Sequence, residues 1–300
     1  MKTWVLLLMM SLAALSAAEV NSIPNDARVQ AVVDDAVAAA LNKFASKSLQ
    51  SNQLAVTLID LRNGAAKGSF RGNEKIYPAS VIKLFYLAAA HRWMEDGKLK
   101  DTEELRRALR DMIVDSSNDA THYVLDSITG TTAGPELNEE EMKVWGEKRN
   151  VVNRYFASLG YTNINANQKP WGDGPYGRER IWVGKGYGNR NALTTDATAR
   201  LLAEVALHQC VSSNRSEQML ELLKRDPADK KDDQARFSFT TLPPGTKLFS
   251  KAGWTSTARH DAAFVTCPDG RKFVLVVFTS QHANERDIIP FIAQRVMGKL

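Results

Sequence analysis

In Tyr77-Pro78-Ala79-Ser80-Val81-Ile82-Lys83-Leu84-Phe85, a serine and a lysine stand three residues apart at the start of an apolar run. Pro78 precedes a mainly apolar run through Leu87, Ala88 and Met94, which predicts a buried helix with Ser80 in its first turn. Side chains at i and i+3 share a helix face. The Lys83 amine therefore falls within reach of the Ser80 hydroxyl, and the free N–H groups of a helix start favour negative charge beside the serine. A hydroxyl needs a base to become a nucleophile, and a lysine serves as one only when burial or a second cation lowers its pKa. A chain of this size holds about one Ser-x-x-Lys by chance, so the pair acquires meaning only from partners elsewhere.

Ahead of this stretch, the sequence predicts an amphipathic helix from Asp26 to Phe44, with Val29, Val32, Val33, Ala36, Val37, Ala40 and Leu41 on a helical period. Leu54 to Leu61 reads as a strand ending at the turn Arg62-Asn63-Gly64, and Gly68 to Ile76 as its return. At the other end, Lys247 to Trp254, Ala262 to Thr266 and Lys272 to Thr279 read as three strands. The last two are joined at Cys267-Pro268-Asp269-Gly270, and a helix from Asp287 to Met297 follows. This order predicts an α/β (α+β) architecture: a five-stranded antiparallel sheet built from both ends of the chain and flanked by terminal helices. The α/β lobe takes residues 19–79 and 240–300, an inserted helical lobe takes 80–239, and the site lies where the lobes meet.

With 44% hydrophobic and 24% charged residues, the composition is that of a globular protein with a substantial core. The formal charge of +5 is modest and its basic residues are interspersed with acidic ones, which argues against nucleic acid as a partner. Alternating signs from Lys224 to Asp233 read as a solvated loop or helix end. Lys2, the apolar run from Trp4 to Leu15 and the small residues Ser16-Ala17-Ala18 predict a signal peptide over residues 1–18 and a periplasmic or secreted product. No later stretch is apolar for long enough to enter a bilayer stably. Cys210 and Cys267 would then meet an oxidising compartment, where pairing stays open because their separation is not legible. No Cys/His cluster calls for a metal, no cofactor is expected, and a monomer is expected.

Two further groups carry chemistry. Asp115-Ser116-Ser117-Asn118 follows a helical stretch from Glu103 to Val114, and Ser116 and Asn118 are spaced to aim a hydroxyl and an amide into one cleft. The same residues are also good N-caps for a helix from Ala120 to Leu125. In Lys251-Ala252-Gly253-Trp254-Thr255, Lys251 offers a second positive charge that would keep Lys83 neutral, and Gly253 leaves room for an extended substrate along the strand; a plain strand end is the alternative.

Taken together, Ser-x-x-Lys at a helix start, Ser-x-Asn further on and Lys-x-Gly on a late strand resemble the serine β-lactamase and penicillin-binding superfamily, most closely class A β-lactamases. Leu193-Thr194-Thr195-Asp196 looks like that family's exit from its Ω loop. The resemblance implies a serine hydrolase that forms an acyl-enzyme with a small-molecule β-lactam or a D-Ala-D-Ala-type peptide. Ser80 would attack, Lys83 take its proton, and Ser116, linked to Lys251, protonate the leaving nitrogen. Asn118 would hold the acylamide side chain, and the Ser80 and Trp254 amides would form the oxyanion hole. A D,D-peptidase or esterase-like relative, or a penicillin-binding sensor without turnover, are the other readings.

Departures from the family pattern are informative. Ser117 stands where the family has Asp, and Ala252 where it has a hydroxyl that helps hold the substrate carboxylate; Thr255 or Arg259 would replace that contact. Pro135-Glu136-Leu137-Asn138 copies the tail of the family's Ω-loop signature but comes too early in the chain and reads as a helix start. Glu179 stands at a comparable distance before Thr194-Thr195 to the family's water-activating glutamate, yet its flanking Arg178 and Arg180 favour an ion-pair partner over a deacylation base.

Overall fold

Leu54–Asp60 (β1) and Ala66–Phe70 (β2) form an antiparallel hairpin, and Gly64 supplies the left-handed φ of +88° that its turn requires. The structure is a computed structural model and describes residues 23–171 and 173–300, so the expected signal peptide lies outside the described residues. The return strand was expected to run to Ile76. It stops at Phe70 because Arg71 turns the chain at φ +52° and Ile76 leaves to bridge Leu193.

The sheet has six antiparallel strands in the order β2-β1-β6-β5-β4-β3, where the five-strand expectation missed Lys224–Arg225 (β3). These two residues pair with Phe249 and Leu248 of Lys247–Trp254 (β4), which is followed by Ala258–Thr266 (β5) and Lys272–Ser280 (β6). A two-residue strand has no periodicity to read, and its charged letters resemble a solvated segment. Arg225 is nevertheless buried, so the solvated reading of that stretch fails at its second residue.

Ten α-helices complete the described residues: Ala27–Lys43 (α1), Lys83–Glu95 (α2), Glu103–Ile113 (α3), Asn118–Thr129 (α4), Glu139–Arg149 (α5), Val151–Ser158 (α6), Gly177–Val183 (α7), Thr195–Ala206 (α8), Ser213–Leu223 (α9) and Ile288–Met297 (α10). Asp26 caps α1 by accepting from the Arg28 and Val29 amides at 2.9 and 3.1 Å. Asn138 and Glu141 form a capping box at the start of α5, in keeping with the reading of Pro135–Asn138 as a helix start. None of the described helices is long and apolar enough to cross a membrane.

Both faces of the sheet are covered, which explains why β6 reads as a nearly unbroken apolar run. Phe273, Leu275 and Val277 join a core with α1 and α10, while Val274, Val276 and Phe278 join the core beneath α2 and α8. Each such side chain contributes about 1.5–3 kcal/mol on burial. Cys210 belongs to the second core and Cys267 to the first, so the two thiols are free and lie on opposite faces of the sheet. The edge of β4 reaches the turn that carries Ser80, and the site forms there.

Candidate active site

Ser80 sits in a 3₁₀ turn, Ala79–Ile82, that runs directly into α2 at Lys83. In a 3₁₀ turn residues i and i+3 eclipse, so Ser80 and Lys83 are brought to one side of the chain. The turn is held in an uncommon backbone state, with Ala79 at φ +47°. Two contacts fix it. A Cβ on Gly253 would stand 2.7 Å from the Pro78 carbonyl oxygen and 2.8 Å from the Ser80 nitrogen, so only glycine lets β4 approach this closely. The space beside this glycine is thus taken by the turn that carries Ser80, not by the substrate expected from the sequence. The second contact is the buried His260, whose Nε2 donates to the Tyr77 carbonyl at 3.0 Å while Nδ1 accepts from the Thr279 amide at 3.2 Å. Burial lowers the His260 pKa to about 4, keeping the ring neutral.

Lys83 is buried, and its Nζ donates to the Ser116 carbonyl at 2.6 Å, to Ser116 Oγ at 3.2 Å and to Asn118 Oδ1 at 3.0 Å. Burial pushes its pKa down to about 7. Lys251 is buried as well. Its Nζ donates to Ser116 Oγ at 3.0 Å, to the Ala252 carbonyl at 2.8 Å and to Gln234 Oε1. Burial holds its pKa well below the lysine range, and the positive charges of Lys83 and Arg225 add to the effect. One hydroxyl therefore lies within reach of two amines whose other hydrogen-bond partners are all neutral oxygens. Ser116 O–H can donate to an amine only if that amine is deprotonated, so the arrangement favours one shared proton over two full charges.

The segment from Ser116 to Asn118 realises both readings of its sequence. Ser117 caps α4, its Oγ accepting from the Ala120 amide at 3.1 Å, whereas Ser116, at φ +55°, and Asn118 turn toward the lysines. Three residues that support them carried no local signal. Arg225 donates to the Ile113, Val114 and Ser250 carbonyls, tying β3 and β4 to the end of α3. Gln234 bridges Lys251 to the Val114 carbonyl, 2.7 Å from its Nε2. Asp261, paired across the strands with Ala252, accepts from Ser238 Oγ at 2.5 Å, and burial pushes its pKa up to about 6.

The remaining expected residues lie at the rim or apart. Trp254 ends β4, half exposed, and packs its ring on Phe237 at 5.4 Å between centroids. The Thr255 hydroxyl accepts from the Thr257 and Ala258 amides at 3.1 and 3.0 Å, so its lone pairs serve its own turn. Arg259 lies over Phe237, with Cζ 3.5 Å from the ring centroid, in a cleft of about 350 Å³ shared with Trp254, Thr255 and Arg286. Burial and the charge of Arg286 lower its pKa.

Glu179 meets a different geometry from either expectation. It is buried on α7, and its two oxygens accept from Arg149 Nη1 and Nη2 at 2.8 and 2.7 Å, with Lys169 Nζ at 3.6 Å. Lys169 also pairs with Asp126 at 2.7 Å. The flanking arginines go elsewhere: Arg178 donates to the Pro135 carbonyl and Arg180 pairs with Glu136. No hydrogen bond links Glu179 to Ser80, Lys83 or Asn118 among the described residues.

The sequence pattern of the Beta-lactamase enzyme family matches residues 102–299, a span that includes Ser116, Asn118 and Lys251. This chain belongs to the β-lactamase enzyme family. Solved structures of the same fold include a β-lactamase from Chitinophaga pinensis, with 20% identity over 88% of this chain and 97% of that one and a TM-score of 0.64. The TLA-1 extended-spectrum β-lactamase gives 16% identity over 89% and 98% at a TM-score of 0.66. A representative class A β-lactamase from Bacteroides cellulosilyticus gives 16% over 92% and 99% at 0.62. No curated protein matches. The enzyme is thus a β-lactamase-like serine hydrolase, and its Ser80-Lys83 turn precedes the matched span.

Proposed function

We propose that the enzyme opens β-lactams through an ester on Ser80. The observation that carries this reading is the Ser116 hydroxyl held between the Lys83 and Lys251 amines. Lys83, deprotonated near neutral pH, takes the Ser80 Oγ proton as Oγ bonds to the lactam carbonyl carbon. When the C–N bond breaks, the Ser116 proton moves to the leaving nitrogen, and Lys83 returns the proton it took to Ser116. The Ser80 amide and the Trp254 amide, which directly follows the glycine packed on Ser80, stabilise the oxyanion. Asn118 holds the acylamide group. Arg259 takes the substrate carboxylate in place of the hydroxyl that Ala252 lacks, since Thr255 is engaged in its turn. Export with removal of residues 1–18, and action as a monomer, belong to the same reading.

Deacylation needs a base for water. Glu179, with both oxygens accepting from a buried guanidinium, is a poor one, and Lys83, i+3 from Ser80 and with its pKa lowered to about 7, takes that role. The same observation favours a second reading, in which the ester is released slowly, as by a peptidase-like relative. Mixing the protein with a chromogenic cephalosporin and following colour and intact mass together tests both. Ser80→Ala should abolish the mass adduct, and an adduct on that variant would overturn the nucleophile. Glu179→Gln should leave the steady-state fraction of ester as in wild type; accumulation of ester on this variant alone would make Glu179 the water-activating base.

A further inference from the structure

A cleft of about 590 Å³ opens between the loop that precedes α8 and the β4–β5 turn. It adjoins the nucleophile: Tyr77, which begins the segment leading to Ser80, forms one wall, and Thr255, two residues after the glycine packed on Ser80, forms another. Trp171 and Tyr187 bring aromatic side chains to its lining, and Ser256, Thr257 and Ser280 bring hydroxyl-bearing ones.

Arg190 is the one basic side chain among the described lining residues. Its guanidinium lies over Tyr77, with Cζ 3.6 Å from the ring centroid, and 5.8 Å from the centroid of Tyr187. It makes no ion pair within 4 Å with any acid among the described residues, and its side chain donates no hydrogen bond to them, although the other faces of this molecule pair most of their arginines. Asp173 is the one acidic side chain in the lining and is not bonded to Arg190. A guanidinium held over one aromatic ring, with a second nearby, is oriented at low entropic cost and keeps donors available for a carboxylate.

We propose that this cleft is a subsite for substrate acyl side chains that end in a carboxylate, with Arg190 as the specificity-determining contact. The inference rests on the reading of Ser80 as the acylated residue. The side chain's apolar body lies between Tyr187 and Trp171, its carboxylate meets the Arg190 edge, and Asp173 weakens the preference from the rim. Two sources share this chemistry: a β-lactam with a carboxylated side chain, and an acyl-D-Ala-D-Ala-type depsipeptide derived from cell wall.

The test measures kcat/KM for two matched pairs, a cephalosporin and a depsipeptide, each with a carboxylated side chain and its carboxamide. The quantity read is the ratio of carboxylated to carboxamide substrate. Wild type should favour the carboxylate by about tenfold or more, as a charge-assisted bidentate contact implies, and the preference should shrink at high salt. Arg190→Gln should bring the ratio to about one, Arg190→Lys should retain part of it, and Asp173→Asn should raise it. The pair that shows the effect identifies the source. A ratio of one in wild type, or a ratio that Arg190→Gln leaves unchanged, on protein whose Ser80 is acylated, overturns the subsite alone. Protein that neither scaffold acylates overturns the parent reading and the subsite with it.

Discussion

Two groups of buried basic side chains in the enzyme behave oppositely. Arg149 and Lys169 are bonded to carboxylates, those of Glu179 and Asp126, in a closed set of ion pairs. Lys83 and Lys251 are bonded only to neutral oxygens and share one hydroxyl. A buried cation with a carboxylate partner stays charged and holds structure. A buried amine without one loses its proton readily and becomes a base. The proposed reactivity thus comes from what the two lysines lack, whereas the first cluster clamps the loop bearing α7.

The sharpest way to break the comparison is to remove an amine. Lys83→Ala should slow acylation by a penicillin by about 10²–10⁴-fold, with Lys251→Ala also impaired, as read by stopped-flow or quenched mass spectrometry; normal acylation by either would show that the shared hydroxyl is not the relay. For the clamp the loss should fall on stability. Glu179→Ala leaves Arg149 buried without its main partner and should lower unfolding free energy by about 3–5 kcal/mol, measured by denaturant titration, while the folded fraction still acylates. A variant as stable as wild type would refute the clamp.

The pH profile sharpens the same contrast. Because the Lys83 pKa is lowered to about 7 and the neutral amine is the active form, acylation should fall about tenfold per pH unit below that value and level off above it. The clamp should give no such inflection. The smallest effect is assigned to the seat of the nucleophile. His260→Ala leaves the Tyr77 carbonyl and Thr279 amide without partners, costs about 1–3 kcal/mol and slows acylation severalfold; an unchanged acylation rate would mean that the turn needs only Gly253.

Much of this was legible from local pattern. The long strands β1, β4, β5 and β6, both terminal helices and the turns at Gly64 and Cys267–Gly270 have periodicities or turn residues of their own, and Ser80, Lys83, Ser116 and Lys251 stand in spaced motifs. What stayed illegible depends on partners chosen across long loops. β3 is too short to have a period, and Arg225 and Gln234 sit among charges that look solvated yet hold the end of α3. Glu179 has an arginine on each side in sequence, but a helix points those outward and brings Arg149 from α5 to the carboxylate.

The pairing of β1 with β6 joins Leu54 to Thr279, and the turn bearing Ser80 leans on Gly253 and His260. During synthesis from the N-terminus, the segment that carries Ser80 emerges long before any of its supports. Such non-local contacts form late and slowly. A nascent or truncated chain that ends before β5 therefore has Ser80 and Lys83 in sequence but no desolvated amine beside the hydroxyl. On the proposed reading of Ser80 as the acylated residue, reactivity toward acylating agents would be acquired only when the last strands dock, and acylation of Ser80 would report completed folding.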